Sequence, residues 1–112
     1  MNIVFATKDL LRLCHDERSA VRSWGKPRWK LLSRRLDQMV AAPNLAAFMG
    51  TPGFPHPLRG NRSGQFTVDL DGPYRLVFEP ADAPLPLLNS TDQVDLKRVQ
   101  TVRILGVEDT HE

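Results

Sequence analysis

The sequence predicts a small α+β domain in which a two-helix hairpin packs on one face of a mostly antiparallel β-sheet. Two patterns predict this class: apolar residues recur at helical spacing in the first half of the chain and alternate strictly in the second half. The expected element order is β-α-α-β-β-β. The 112 residues match the size of one folding unit, so residues 1–112 are expected to form a single domain.

The first half of the chain is predicted to form a strand followed by the helical hairpin. Residues 2–6 are β-prone, and Thr7 after them has the hydroxyl that caps a helix. This first helix ends at Gly25, and a second helix begins near Pro27 and ends at Pro43. The second helix carries an apolar stripe at intervals of three and four, formed by Trp29, Leu32, Leu36, Met39 and Val40.

The second half is predicted to form three antiparallel strands. Residues 65–70 alternate between apolar and polar side chains, which indicates a half-buried strand. Asp71-Gly72 is a hairpin signal, and residues 74–78 form the returning strand. Residues 80–98 are a long, proline-containing connection, expected to be a mobile loop. Residues 100–107 alternate again and predict the third strand, which leaves a polar tail at the end of the chain.

The charge is unevenly distributed along the chain. Residues 1–62 contain 11 Lys or Arg and 4 Asp or Glu, whereas residues 63–112 contain 4 and 9. Such an asymmetry points to a polyanionic partner on one face. No stretch approaches the ~20 apolar residues of a membrane span, and the single cysteine, Cys14, excludes an intrachain disulfide. A cytoplasmic protein without a membrane partner is therefore expected.

The first candidate for chemistry is the polar run from His56 to Gly64. It places one imidazole and the guanidiniums of Arg59 and Arg62 within seven residues, on backbone flanked by glycines. Histidine can exchange a proton near neutral pH, and arginine can bind a phosphate through two parallel hydrogen bonds. The alternative for this run, taken alone, is a solvated basic loop.

Further candidates lie on the predicted sheet and at its end. Arg75 points to the strand face opposite the apolar side chains, where it is available to a phosphate or paired with a neighbouring carboxylate. Asp109 and His111 lie two residues apart, a spacing in which a carboxylate can orient an imidazole for acid–base chemistry. The alternative for this pair is a frayed chain end.

A basic stretch in the helical half is the candidate for RNA binding. Residues 22–35 contain six basic residues, no acidic residue, and the two tryptophans Trp24 and Trp29. The tryptophans lie in the apolar stripes, so core packing is the better interpretation for them. The cations are predicted to form an electrostatic surface for RNA. The predicted RNA-binding residues are Arg28, Lys30, Arg34 and Arg35 of this stretch and Arg62 of the loop.

Three motifs together resemble one known family. They are the run His56-Pro-Leu-Arg-Gly-Asn-Arg-Ser-Gly64, the hairpin Asp71-Gly-Pro-Tyr-Arg75 and the ending Glu-Asp-Thr-His111. The chain resembles the HigB branch of the RelE/ParE toxins of bacterial toxin–antitoxin systems, and the resemblance covers essentially the whole chain. It implies a RelE-like fold with the element order predicted above.

The resemblance also implies a ribosome-dependent mRNA endoribonuclease that a cognate helix-turn-helix antitoxin, HigA-like, holds silent. The matching motifs give catalytic roles to His56, Arg59, Arg75, Asp109 and His111. In this chemistry a base takes the proton of a ribose 2′-hydroxyl, cations stabilise the phosphate, and an acid protonates the leaving oxygen, so no metal or other cofactor is required. The implied partners are the antitoxin, the ribosome and mRNA, with DNA contacted only through the antitoxin.

Two positions depart from the pattern of the family. Arg59 stands where the family usually has a lysine, and Thr110 stands where the family's ending usually has an aromatic residue. Thr110 motivates an alternative function, a non-catalytic toxin–antitoxin component that acts by binding a protein, in killer suppression or in an antitoxin-like role. The retained His56 and His111 favour the enzyme, and a gyrase-poisoning toxin of the ParE type ranks third.

Overall fold

The computed structural model describes residues 1–83 and 93–109. Thr110 and His111 lie outside the described residues, and so do residues 84–92 of the connection that the sequence predicts as a mobile loop. In the described part of that connection, Leu96–Arg98 form a 3₁₀ turn. None of the helices within residues 1–83 and 93–109 is long and apolar enough to cross a membrane.

Helices and one five-stranded sheet make up the described fold. The helices are α1 (Lys8–His15), α2 (Glu17–Trp24), α3 (Lys26–Ala41) and α4 (Leu45–Phe48). The strands are β1 (Asn2–Phe5), β2 (His56–Pro57), β3 (Phe66–Asp69), β4 (Tyr74–Pro80) and β5 (Thr101–Asp109). They lie in the order β1-β5-β4-β3-β2, in which β1 and β5 are parallel and the other pairs are antiparallel. The predicted α+β class is confirmed, with α4, β2 and a divided first helix as additions.

The first predicted helix is divided into α1 and α2 at Asp16. Asp16 has extended backbone (φ −121°, ψ 99°), and its carboxylate accepts a hydrogen bond from the Ser19 hydroxyl at 2.6 Å. The chain is polar on every side here, so no buried stripe holds this turn helical. The predicted ends are confirmed, since Thr7 accepts from the Leu10 N–H at 3.1 Å and Gly25 ends α2 with φ 86°.

The core lies between the helices and the sheet face that they cover. Leu32 and Met39 of α3 are fully buried, and Phe48 of α4 packs edge-on against Phe78 of β4 at 5.8 Å between ring centroids. Val40 does not join the predicted apolar stripe, because it lies about 100° beyond Met39 around the helix and is 62% exposed. The other core residues contributed by β3, β4 and β5 include Val68, Leu76, Val102 and Ile104.

Alternation along the strands gives the sheet a second face, on the side away from the helices, which we call the open face. Its residues include Thr67 and Asp69 of β3, Arg75, Val77 and Glu79 of β4, and Arg103 and Glu108 of β5. The hairpin predicted at Asp71-Gly72 is confirmed, because the Leu70 N–H donates to the Tyr74 carbonyl at 3.0 Å. This hairpin fixes the register that sets Asp69 opposite Arg75.

Candidate functional site on the open face of the sheet

The loop before β3 brings the predicted histidine onto the open face. His56 in β2 lies directly opposite Thr67 of β3. Residues directly opposite on antiparallel strands share a face, so His56 projects onto the open face beside Thr67. The chain then passes through a 3₁₀ turn, Gly60–Arg62, before it enters β3. Sheet spacing places the Cα atoms of His56 and Arg75 about 12 Å apart, so a ligand lying across β3 is within reach of both side chains.

The hydrogen bonds of His56 fix its tautomer. Nδ1 lies 3.0 Å from the carbonyl oxygen of Phe54, which can only accept a hydrogen bond, so Nδ1 carries the proton. In the neutral ring Nε2 therefore holds a lone pair, and it lies 3.3 Å from the Thr67 hydroxyl, which donates to it. The open face thus presents an imidazole nitrogen that can accept a proton.

Arg62 crosses the open face and forms a bidentate ion pair with Glu108. Its Nη1 and Nη2 donate to the two carboxylate oxygens at 2.8 Å each, and its Nε donates to Gln65 Oε1 at 2.8 Å. Hydrogen bonding to Arg62 holds the pKa of Glu108 below its ordinary value. Arg62 precedes β3, and Glu108 lies on β5, two strands away in the sheet. On this face, Thr67 of β3 and Val77 of β4 are 1% and 0% exposed, so the strand predicted as half-buried is covered on both faces here.

Asp69 connects Arg75 with two other parts of the molecule. Its Oδ1 lies 2.8 Å from Arg75 Nε, an ion pair without an aligned hydrogen bond. Arg75 Nη1 also donates to two carbonyls at the β3–β4 turn, each at 2.9 Å. The backbone of Asp69 donates to the Gly53 carbonyl at 2.7 Å and accepts from Arg35 Nε at 2.9 Å. Arg75 thus lies on the open face as predicted, with a neighbouring carboxylate as its partner.

A β-bulge in β5 shifts the alternation of side chains near the end of the chain. Phe78 pairs with Ile104, whereas the next β4 residue towards the turn, Val77, pairs with Gly106. Leu105 is therefore an extra residue that opposes no partner, as in a β-bulge. Every β5 residue after Leu105 consequently faces the opposite side from the one that simple alternation predicts.

The bulge decides which of the two adjacent carboxylates faces the candidate site. Glu108 pairs in register with Arg75 on the open face, whereas Asp109 pairs with Tyr74 on the side that the helices cover. Glu108 is therefore the carboxylate that shares the open face with His56 and Arg75, and the acid–base role that the resemblance gives to Asp109 stays a prediction. Both residues belong to β5 itself and not to a polar tail after it.

Two of the predicted RNA-binding arginines have a different role in the structure. Arg35 is 8% exposed and donates to the Asp69 carbonyl, and burial lowers its pKa below the ordinary value. Arg28 lies over the Tyr74 ring, 3.5 Å from the centroid, and its guanidinium donates to both Asp71 carboxylate oxygens at 2.9 and 3.2 Å. Both side chains hold α3 to the sheet, and their role in RNA binding stays a prediction.

The other predicted cations remain exposed. Lys30 and Arg34 lie four residues apart on the outer side of α3, across the helical layer from the open face. Arg59 is exposed on the loop next to His56. With the other described residues, these three side chains form no ion pair or hydrogen bond. They are the predicted cations best placed to meet a phosphate backbone.

Three residues of the site were not assigned from the sequence. They are Glu108, Asp69 and Thr67, which contact Arg62, Arg75 and His56 respectively. Partial signals for them exist, since Thr67 and Asp69 occupy the polar positions of an alternating strand. A glycine within a strand is typical of a β-bulge, so Gly106 is a sequence signal for the change in the alternation of side chains along β5.

A groove of about 930 Å³ lies away from the open face. It follows β1 between α1 and α3, and the exposed side chains of Val4, Leu11 and Val40 line part of it. Cys14 also lines this groove, and burial raises the pKa of its thiol to about 11, so the thiol stays protonated at neutral pH. No predicted site residue that the structure describes contributes to the groove.

Comparison with known proteins shows the fold. No protein-family model and no curated protein sequence matches the chain. A YoeB/ParE toxin from Agrobacterium tumefaciens superposes with a TM-score of 0.61 at 12% identity, covering 99% of this chain and 100% of that chain. A chain of the YoeB–YefM complex from Staphylococcus aureus gives 0.58 at 15% identity, covering 100% and 98%. The YoeB dimer from Staphylococcus aureus gives 0.57 at 17% identity, covering 100% and 98%. The predicted RelE-like architecture is therefore confirmed as the fold of YoeB/ParE toxins.

Proposed function

We propose that this protein is the toxin of a type II toxin–antitoxin system, of the HigB-like kind, and cleaves mRNA on the ribosome as an endoribonuclease. The observation that carries the proposal is the convergence of His56, Arg62 and Arg75 on the open face of a sheet that has the YoeB/ParE fold. One imidazole and two guanidiniums are the groups that cleavage through a ribose 2′-hydroxyl uses. Residues 1–112 act in this proposal as a single domain.

The proposed reaction begins at His56. Nε2 takes the proton of the 2′-hydroxyl, because the Phe54 carbonyl holds the neutral ring with its lone pair on that nitrogen. The 2′-oxygen attacks the adjacent phosphorus, and Arg59 and Arg75 stabilise the negative charge that develops there. The 5′-oxygen leaves with a proton from His111, a role that the family resemblance gives to this histidine. This route needs neither a metal ion nor an organic cofactor.

Arg62 takes part by exchanging one anion for another. A phosphate offers two oxygens in the same fork geometry as the Glu108 carboxylate that Arg62 binds at 2.8 Å. The side chains of Arg62 and Glu108 are 34% and 40% exposed, so breaking the pair costs at most about 1 kcal/mol. The substrate phosphate therefore displaces Glu108 at a small cost in free energy.

The proposed partners are those that a HigB-like toxin requires. A HigA-like helix-turn-helix antitoxin silences the toxin and is its link to DNA, and the YoeB–YefM complex from Staphylococcus aureus supports a protein partner for this fold. The unpaired cations Lys30 and Arg34 dock on ribosomal RNA, on the side of the molecule away from the open face. The toxin works in the cytoplasm, where ribosomes and mRNA are found.

The test is induced expression without antitoxin, with growth followed and mRNA 5′ ends mapped. Wild type should arrest growth and cut translated messages in frame, and His56→Ala and His111→Ala should each lower cleavage by about 10²- to 10⁴-fold. His15→Ala is the matched control, because His15 is an exposed histidine on α1 away from the open face. Loss of cleavage in His15→Ala as well would show that the assay reports on folding and not on the site.

A second candidate is the non-catalytic component that acts by binding a protein. The pairing of Arg62 with Glu108 and of Arg75 with Asp69 favours it, because both guanidiniums already have carboxylate partners within the chain. Normal growth and intact messages, with folded and soluble protein confirmed, would reject the nuclease and select this candidate.

A further inference from the structure

We propose that Phe54 is a stacking surface for one nucleobase of the RNA beside His56. The inference rests on the proposed function, because it places a base of the same substrate next to the proposed proton acceptor. Nothing in the motifs of the sequence singles out Phe54, and the proposal comes from its exposure, its backbone and its contact with the imidazole.

The first observation is that Phe54 presents its ring to solvent. It is 70% exposed, more than Val4, Leu11 or Val40, the other large exposed apolar residues of the described chain. Its ring lies against the His56 ring, with 4.7 Å between centroids and a tilt of 33°. One side of the aromatic ring thus contacts the site, and much of the rest of the ring is free to receive a flat partner.

The second observation is a strained backbone that holds the ring in this place. Phe54 has φ 54° and is the one non-glycine residue of residues 1–83 and 93–109 with a positive φ. A bulky side chain adopts this region only where its surroundings enforce it, and such strain is concentrated at functional sites.

The surroundings that enforce this conformation pack against Gly53, the residue before Phe54. Gly53 has φ 103°, and a Cβ atom there would lie 2.7 Å from Arg35 Nε and 2.8 Å from Val68 Cγ2. The Gly53 carbonyl also accepts from the Asp69 N–H at 2.7 Å. Buried Arg35 and β3 therefore fix the loop, so Phe54 is ordered before any ligand binds, which lowers the entropy lost on binding.

The third observation is that cations lie on the same loop and on the same face of the sheet. Arg59 and Arg62 follow Phe54 closely in the chain, and Arg75 lies on the same face of the sheet as His56. An aromatic ring and cations on one surface form the combination that binds single-stranded nucleic acid, in which the base stacks and the phosphate pairs. A base on Phe54 sets its own ribose beside His56, which is where the proposed reaction needs a 2′-hydroxyl.

The test measures single-turnover cleavage of ribosome-bound mRNA by wild type, Phe54→Ala and Phe54→Trp. Phe54→Ala keeps the carbonyl that binds His56 Nδ1 and removes the ring together with its contact with the imidazole, and the abasic substitutions below separate these two losses. It should slow cleavage by about five- to 150-fold, which is the loss expected for one base–aromatic stack, while Phe54→Trp should retain the rate. Val40→Ala, which truncates an exposed apolar residue on α3, is the matched control and should cleave at the wild-type rate.

A second arm identifies the base. The mRNA nucleotides around the cut are replaced one at a time by an abasic ribonucleotide, and at one position wild type and Phe54→Ala should become equally slow. Equal rates of wild type and Phe54→Ala on intact mRNA would overturn the stacking role and leave the proposed function standing. A Phe54→Ala defect of the same size on every abasic message would also overturn it, because the loss would then not involve a base. Absence of cleavage by wild type would reject the proposed function itself and this inference with it.

Discussion

Two sets of arginines that share one predicted role, binding RNA or its phosphates, lie in different parts of the structure. On α3, Arg35 is 8% exposed and binds a backbone carbonyl, and Arg28 lies over an aromatic ring and forms a fork with an aspartate. On the open face, Arg62 and Arg75 have side chains that are 34% and 22% exposed, and each pairs with a carboxylate. The Arg28 side chain is 18% exposed, close to that of Arg75, so position separates the two sets: the first holds α3 to the sheet, and the second lies on the open face.

Position within the helical period decides the role of a cation on α3. Arg28 and Arg35 lie seven residues apart and fall in the same stripe as Leu32, so they turn towards the sheet. Lys30 and Arg34 lie on the other side of the helix and remain in solvent. Composition alone treats these four cations as equivalent, and geometry divides them into two pairs.

The largest expected effect on stability belongs to Arg35→Ala. Removal of the guanidinium leaves the buried Asp69 carbonyl without this donor and opens a space beside Gly53. We expect a loss of about 2–4 kcal/mol in the free energy of unfolding, from a charge-assisted hydrogen bond and the packing of the stem. Urea denaturation measures it, with Arg34→Ala as a control that should change stability by less than about 0.5 kcal/mol. Equal stability of the two variants would abolish the distinction between the two sides of α3.

A smaller loss, about 1–2 kcal/mol, is expected for Arg28→Ala. The substitution removes the fork on Asp71, in which the two side chains are 18% and 34% exposed, and the cation–π contact with Tyr74 at 3.5 Å. Arg28→Lys keeps the charge without the planar fork and should recover less than half of the loss. Urea denaturation of both variants checks this, together with mRNA cleavage, which should be unchanged at a temperature where the variants are folded. A selective loss of cleavage would return Arg28 to the RNA-binding set.

The fold could be predicted from the sequence largely because its signals are local. Helical spacing, the cap at Thr7, the stop at Gly25 and the hairpin at Asp71-Gly72 each act within a few residues. The two-residue strand β2 has no such signal, because its pairing with β3 depends on a fixed loop. The residues around the break at Asp16 are polar on every side of the helix, but no stop signal there predicts where the helix ends.

The site was predicted less completely because it depends on contacts between distant parts of the chain. Arg75 was placed on the open face correctly, since alternation along its strand is enough, whereas His56 was assigned to a loop and its pairing with Thr67 was not predicted. The bulge at Leu105 turns Glu108 instead of Asp109 to the open face, and its one sequence signal was a glycine that fits several structures. The pairing of Arg62 with Glu108 joins residues that no local pattern relates.

A still smaller effect, on the open face of the sheet, is expected for Glu108→Gln. The pKa of Glu108 is lowered from 4.5 in the folded protein, chiefly by its hydrogen bonds to Arg62. The stabilisation is therefore present above about pH 4.5 and disappears as the pH falls through the lowered pKa. Because both partners are exposed to about a third or more, we expect at most about 1 kcal/mol at pH 7.

Urea denaturation at pH 7, 5, 4 and 3 measures this contribution. The difference in stability between wild type and Glu108→Gln should shrink towards zero at the lowest pH. Arg62→Gln is the reciprocal control, and the double variant should lose no more than either single variant, because the two substitutions remove one interaction. A difference that stays constant from pH 7 to pH 3 would assign the effect of Glu108 to packing instead of charge.

The smallest effect on stability belongs to the double variant Lys30→Ala, Arg34→Ala, which changes the free energy of unfolding by less than about 0.5 kcal/mol. Its effect should appear in the affinity for ribosomes, measured at several salt concentrations. If both cations contact phosphates, loss of two contacts lowers the slope of log affinity against log salt by roughly two. Lys26→Ala, Arg22→Ala removes two other exposed cations of the same basic stretch and is the matched comparison. An equal change of slope in both double variants would mean that the whole helical layer attracts RNA diffusely, whereas a change confined to Lys30 and Arg34 would establish these two residues as a docking contact.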